Sequence, residues 1–371
     1  MQTPRFHRFT ALFIVSLACF VTLSAQTPVA TPPPAVIEDD DVIHVNSRLV
    51  VVPVSVLDAQ GNPVTGLGLN DFRLSEENRN QAIDSVGTAE SVPLEIALLF
   101  DVSASTDAMF RFQQETAAKF LRDVMRADDR ATIFTVGQRP VLVQSRENAE
   151  RSAAAVSGIV PTKEQTAFYD AVRMAAEHLR QNSPEGRRKV IVIISDGEDT
   201  NSDGVTKAIW EAERKVTENI QGAKLRELRV KARDTAKAQE QVKVLKALQD
   251  ADAVLYSINP AGSSYQLNSI SQFGQENMQK FADDTGGTAF LPKFLPIDTA
   301  NNYENTNNMR KNSDFLERIF RQLANELRAQ YLVQYYSDGE FADGKFVRVR
   351  LDLVSNSGAR VRARQGYYVK N

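Results

Sequence analysis

The run Ile96-Ala97-Leu98-Leu99-Phe100-Asp101-Val102-Ser103-Ala104-Ser105 decides the fold. Five consecutive apolar residues are too few for a helix and suit a strand buried on both faces, and the run stops at an acid followed by two alternately spaced hydroxyls. In open α/β sheets the carboxyl ends of the strands face a crevice, so Asp101, Ser103 and Ser105 would present oxygen ligands there. Oxygen-only donors suit a hard divalent cation such as Mg²⁺. The same Asp-x-Ser-x-Ser pattern also occurs as a helix N-cap with neighbouring hydroxyls, and taken alone it leaves cap and metal site both open.

Two later segments bear on that choice. Gln165-Thr166-Ala167-Phe168-Tyr169-Asp170-Ala171 is a loop entering an amphipathic helix, with Thr166 at its threshold. Lys189-Val190-Ile191-Val192-Ile193-Ile194-Ser195-Asp196-Gly197 is a second buried strand ending in an acid. Together the three segments resemble the metal-ion-dependent adhesion site of von Willebrand factor type A domains, a likeness running from about Leu94 to about Leu327. Asp101, Ser103 and Ser105 match the first motif, Thr166 the second-loop threonine and Asp196 the third-loop aspartate. The resemblance implies a doubly wound, mostly parallel α/β sheet in which the hydroxyls touch a metal directly and the acids act through water. It also implies that a partner's carboxylate completes the octahedron. Gln165 stands where many relatives have glycine, which removes no ligand. In relatives the last helix can slide when the site fills; here such a slide would pull on the strand that begins near Tyr331.

Composition sets the outer limits. With 371 residues, 42% hydrophobic and 25% charged, the chain reads as a globular protein of more than one domain. Its formal net charge of −3 supplies no bulk attraction to nucleic acid. Residues 1–25 read as an export signal, with Arg5 and Arg8 before an apolar run from Ala11 to Leu23. That run is shorter than the ~20 residues a membrane span needs, so cleavage, not anchoring, is expected, followed by a secreted or periplasmic location. Cys19, the only cysteine, lies in this leader; a lipid anchor there is the lesser reading, because Ser16 replaces the usual lipobox leucine. The mature chain would then hold no disulfide and no cysteine nucleophile.

Residues 26–41 are Pro-rich and end in Glu38-Asp39-Asp40-Asp41, as an extended linker does. Residues 42–93 read as β, opening with Leu49-Val50-Val51-Val52-Pro53-Val54-Ser55-Val56, where Pro53 points to an edge or a bulge. Too few strands occur there to close a sandwich. The missing half is expected in residues 330–371, from Gln330-Tyr331-Leu332-Val333, Lys345-Phe346-Val347-Arg348-Val349 and Val361-Arg362-Ala363-Arg364-Gln365-Gly366-Tyr367-Tyr368. The α/β domain, residues 94–329, would thus be inserted between two halves of one β-sandwich. This order of parts is similar to that of exported bacterial von Willebrand type A proteins.

Within the α/β domain, Val141-Leu142-Val143 should be an antiparallel edge strand. Residues 205–250 are longer than a type A domain needs and read as two helices forming a projecting hairpin, with thin stripes such as Val216 and Ile220, or Leu225, Leu228, Ala232, Val242 and Leu245. Asp298 to Ser313 is polar and Asn-rich, and reads as a mobile loop before a strongly amphipathic last helix.

Several chemistries lack their raw material. His44 and His178 are the only histidines after the leader, no Gly-x-Ser-x-Gly elbow frames a serine, and no phosphate loop ends in Lys-Ser or Lys-Thr. A strand ending in Asp also opens haloacid-dehalogenase-like phosphatases, but there a second acid stands two residues on, where this chain has Ser103. A hydroxyl holds its proton too tightly to serve as general acid near neutral pH. The expectation is therefore a binding protein and not an enzyme. It would hold Mg²⁺, or another divalent ion such as Mn²⁺ or Ca²⁺, on Asp101, Ser103, Ser105, Thr166 and Asp196, and meet an acidic residue of a protein partner. The alternatives are a metal-dependent phosphatase-like hydrolase and a structural envelope component with a vestigial site.

Overall fold

The computed structural model describes residues 48–103, 107–216, 222–259, 269–296, 300–355 and 358–369. The export signal, the linker, Cys19 and Ser105 lie outside them. In chain order the first strands are β1 (Arg48–Leu57), β2 (Phe72–Glu76), β3 (Arg79–Gln81) and β4 (Ser85–Thr88). The α/β segment follows as β5 (Leu94–Asp101), α1 (Asp107–Val124), β6 (Arg130–Val136), β7 (Val141–Glu147), α2 (Ala149–Ser157), α3 (Phe168–Asn182) and β8 (Arg188–Ile194). It continues through α4 (Asp203–Arg214), α5 (Gly222–Asp250), β9 (Ala253–Ile258), α6 (Ser269–Thr285), β10 (Ala289–Phe290) and α7 (Asn302–Arg328). The chain closes with β11 (Tyr331–Ser337), β12 (Phe346–Leu353), β13 (Arg360–Ala363) and β14 (Gly366–Tyr368).

The central sheet runs β10-β9-β8-β5-β6-β7, parallel throughout except for β7, which pairs antiparallel with β6 at the edge. Every residue of β5 is buried, as its unbroken apolar run requires. One face packs on α1, α2 and α7 through residues such as Leu121, Val156 and Phe320; the other packs on α3, α5 and α6 through Phe168, Leu248 and Phe281. Each face of the sheet thus acquires its own core, the arrangement of a doubly wound fold.

The remaining strands form two antiparallel sheets, β13-β1-β11-β4 and β14-β12-β2-β3, sharing one core of Val52, Val54, Leu74, Val333, Tyr335 and Val349 among others. Each sheet combines strands from before and after the α/β segment, so neither set could bury its apolar face alone. Glu76, buried inside this sandwich, accepts hydrogen bonds from Tyr335 Oη (2.8 Å), Tyr367 Oη (2.8 Å) and Ser337 Oγ (2.9 Å).

One local expectation holds for part of its strand and two need correction. Pro53 sits in β1, which has partners on both sides; it is tolerated because β13 pairs only with Val54–Leu57, leaving the Pro53 half of β1 flanked by β11 alone. The segment from 302 to 313 is not a loop but the start of α7, capped by Asn301, whose Oδ1 accepts from Tyr303 N (3.0 Å) and Glu304 N (3.2 Å). Its asparagines work as clamps: Asn312 bonds both the N–H and the carbonyl of Leu295, and Asn308 donates to Pro296 O. Finally, α5 does not project along its length. Its second half is docked, with Ala236, Val244 and Leu248 buried while Val242 is 63% exposed. Among the described residues no helix is long and apolar enough to cross a membrane.

Candidate functional site

The site stands at the carboxyl ends of β5 and β8, adjacent parallel strands that deliver two acids side by side. Asp101, the last residue of β5, is buried. Its Oδ1 accepts from Ser103 N (2.9 Å) and Ser103 Oγ (2.6 Å), and its Oδ2 accepts from Ser195 Oγ (2.6 Å). Asp101 lies six residues before the start of α1, too far to cap that helix itself, and it turns back on Ser103 instead.

Ser195 and Asp196 follow β8 directly. Asp196 Oδ1 accepts from Glu198 N (3.0 Å), and Gly197 between them has φ +77°, a left-handed conformation that favours glycine. Here α6 lies backbone against backbone: a Cβ on Gly197 would sit 2.4 Å from Gly274 O, and one on Gly274 would sit 2.9 Å from Asp196 O. The acidic loop is thereby wedged against the helix.

Thr166 closes the triangle. Thr162 N and Lys163 N donate to Val102 O (2.9 and 3.2 Å), joining the second loop to the first. Thr200 N and Asn201 N donate to Thr166 O (2.9 and 3.0 Å), and Thr166 N donates to Thr200 Oγ1 (2.9 Å), joining it to the third. The three loops picked from sequence are therefore stitched together by backbone hydrogen bonds, with Asp101, Ser103 and Ser195 in direct contact. Thr166 is held by its backbone and Asp196 is coupled to Asp101 through charge.

That charge is poorly compensated. Burial raises the Asp101 carboxyl above its ordinary value, against the pull of the Ser103 and Ser195 hydroxyls. Asp196 is pushed up to about 6, by burial first and then by the charge of Asp101. Among the described residues no three acids, histidines or cysteines gather as a cage. A cation here would lean on hydroxyls as much as on carboxylates.

Two further residues were not marked from sequence. Ser195 bridges the first and third loops; its position between a buried strand and Asp196 was the available signal. Lys237 of α5 is buried, its ammonium destabilised by burial and favoured by Asp199, the fifth residue past the end of β8, whose Oδ1 accepts from Ser202 Oγ and Tyr169 N. A lone lysine in a charged helix carries no sequence signal of that kind.

No curated protein matches this chain. Among solved structures, an aerotolerance-related membrane protein from Bacteroides fragilis is 14% identical, over 63% of this chain and 99% of that one, with TM-score 0.35. Proximal thread matrix protein 1 from the mussel byssus, with a zinc-occupied MIDAS motif, is 12% identical over 68% of this chain and half of its own (TM-score 0.39). The PilB minor pilin of Streptococcus sanguinis is 12% identical over 75% and 79% (TM-score 0.40). The family model for the von Willebrand factor type A domain matches residues 96–198. That span includes Asp101, Ser103, Ser105, Thr166 and Asp196 and the three loops that converge at the ends of β5 and β8: this chain carries a von Willebrand factor type A domain.

Proposed function

We propose that the three loops hold a divalent cation and that the protein is an exported interaction or adhesion module engaging an acidic residue of a protein partner. The observation that carries this reading is the pair of carboxylates Asp101, buried, and Asp196, half-buried, raised in pKa by burial and in Asp196 also by its neighbour's charge, with hydroxyls and amides as their hydrogen-bond partners. A hard cation fits such a donor set: anionic oxygens, serine and threonine hydroxyls, and no sulfur or imidazole.

Ser103, Ser105 and Thr166 would supply hydroxyl ligands, and Asp101 and Asp196 would hold ordered waters. The ion, once bound, supplies the positive charge that draws a partner's carboxylate. The chain's own residues orient the donors: Ser195 fixes the second oxygen of Asp101, the Gly197–Gly274 contact fixes the acidic loop, and Thr200 fixes Thr166.

The test is calorimetric titration of chelator-stripped protein with MgCl₂, MnCl₂ and CaCl₂, beside Ser103→Ala and Asp101→Ala, with a phosphatase assay in parallel. Saturable binding in the wild type, lost in both variants and without turnover, is the expected result. Absence of binding by all three ions overturns the proposal, as does metal-dependent hydrolysis. Crosslinking of partners with and without chelator then reports whether adhesion requires the ion.

A further inference from the structure

At the other end of the central sheet, β1 and β11 of the sandwich and the beginnings of β8 and β9 line a cavity of about 520 Å³. It lies some 25 Å from the metal loops, taking about 3.3 Å per residue along β8 from Arg188 to Asp196. The volume falls in the range of small-molecule sites.

We propose that this cavity binds a small organic anion, a carboxylate or phosphate group carried on an apolar body. Two buried groups on its wall lack the partners their chemistry calls for. Arg188 is only 8% exposed, yet its guanidinium donates to neutral oxygens: Ala89 O (3.2 Å), Leu327 O (2.9 Å) and Gln330 Oε1. Gln249, on the last turn of α5, is 6% exposed, and neither its Nε2 nor its Oε1 has a hydrogen-bond partner among the described residues. A buried carboxamide left so is destabilising, and a buried cation without an anion more so.

The rest of the lining has matching character. Arg48 and Lys189 add positive charge, while the one acid among the described lining residues, Asp252, is paired with Arg364 at 2.8 Å. Leu49 and Val51, outward-facing on β1 and 48% and 37% exposed, supply an apolar side together with Leu332. A cationic, carboxamide-bearing floor beside an aliphatic wall recognises an amphiphilic anion. Inorganic phosphate would leave the aliphatic wall uncovered, and a neutral alkyl compound would leave Arg188 uncompensated.

The full chain is titrated by calorimetry and thermal melting with octanoate, octyl phosphate, 1-octanol and inorganic phosphate. Octanoate or octyl phosphate should bind at least about ten-fold tighter than 1-octanol and than inorganic phosphate, and should raise the melting temperature. Whichever of the two is tighter identifies the head group. Leu49→Glu, at a half-exposed position, should weaken the preferred anion about ten-fold while leaving the melting temperature unchanged. Gln249→Leu should also weaken it, while the ligand-free variant melts at or above the wild type because the orphaned amide is gone. Equal binding of 1-octanol, no binding of either amphiphilic anion, or undiminished binding by both variants overturns the proposal.

Discussion

Replacing Asp196 by Asn should stabilise the metal-free protein. The carboxyl of Asp196 is pushed from 3.8 up to about 6 by burial and by Asp101. That difference corresponds to about 3 kcal/mol of ionisation energy borne by the fold at pH values above it. Asn keeps an oxygen where Oδ1 accepts from Glu198 N at 3.0 Å and removes the charge. At about 2 °C per kcal/mol for a chain of this size, the variant should melt roughly 6 °C higher in chelator near pH 7.5. The sign of the pH dependence follows. A carboxyl with a raised folded pKa binds its proton more tightly in the fold than unfolded, so the chelated wild type gains stability as pH falls through about 6 and levels off below 3.8. The variant lacks that gain. Excess Mg²⁺ at about fifty times its dissociation constant should stabilise the wild type by on the order of 2 kcal/mol and the variant by far less. The assay is calorimetric melting in chelator and in Mg²⁺ across this pH range. A variant that melts at or below the wild type in chelator, with a parallel pH profile, would refute the view that these two carboxylates oppose one another here.

Three further predictions concern the frame around the site. Glu76→Ala leaves the Tyr335, Tyr367 and Ser337 hydroxyls buried without their acceptor, and should lower stability by about 3–5 kcal/mol in urea denaturation, with Glu76→Gln losing much less. A Cβ on Gly287 would lie 1.9 Å from Leu255 O, so Gly287→Ala should cost about 3 kcal/mol or more; a melting temperature within a degree of wild type would contradict that packing. His178 is held below its ordinary pKa, mainly by burial, so its contribution is present above about pH 6.5 and is lost as pH falls from there through the lower folded value. His178→Gln should flatten that acid-side loss in thermal melts, measured as the difference from wild type at each pH.

What the sequence made legible follows from which forces act locally. Residues 96–101 and 190–196 could be read because a strand buried on both faces has nowhere to place a polar residue until it ends, and the acids at those ends lie at the crevice. The sandwich was legible as a deficit: the strands before Ala89 could not close a core and those after Gln330 could. The helix α5 was misread because its buried positions step by four, as in Ala236, Glu240, Val244 and Leu248, and include Lys237 and Glu240. A four-residue step drifts around a 3.6-residue helix, and polar members hide the stripe. Asparagines before Phe315 looked like a loop because their low helix propensity is visible locally, whereas the Leu295 and Pro296 groups that Asn312 and Asn308 bond are not.

The end of α7 limits how the site could speak to the sandwich. Only Ala329 and Gln330 separate α7 from β11, so a displacement of the helix has almost no slack before it reaches Tyr331. The same end is tied down from three directions. Arg188 donates to Leu327 O (2.9 Å), Arg328 bonds Asp129 (2.6 Å) and Val124 O, and Gln330 Nε2 donates to Tyr256 Oη (2.8 Å) and Ser55 Oγ (3.2 Å). Most of these groups are buried, so each bond broken without replacement costs about 1–3 kcal/mol. An axial slide of α7 must break several together, and a cation that stabilised the slid state would have to favour it by at least that sum. Arg188 also lines the amino-end cavity, so an anion that engages its guanidinium competes with the carbonyls that hold the helix. Arg188 is therefore one of three residues, with Arg328 and Gln330, through which the strength of that tether is set, and with Gln330 it also lines the amino-end cavity.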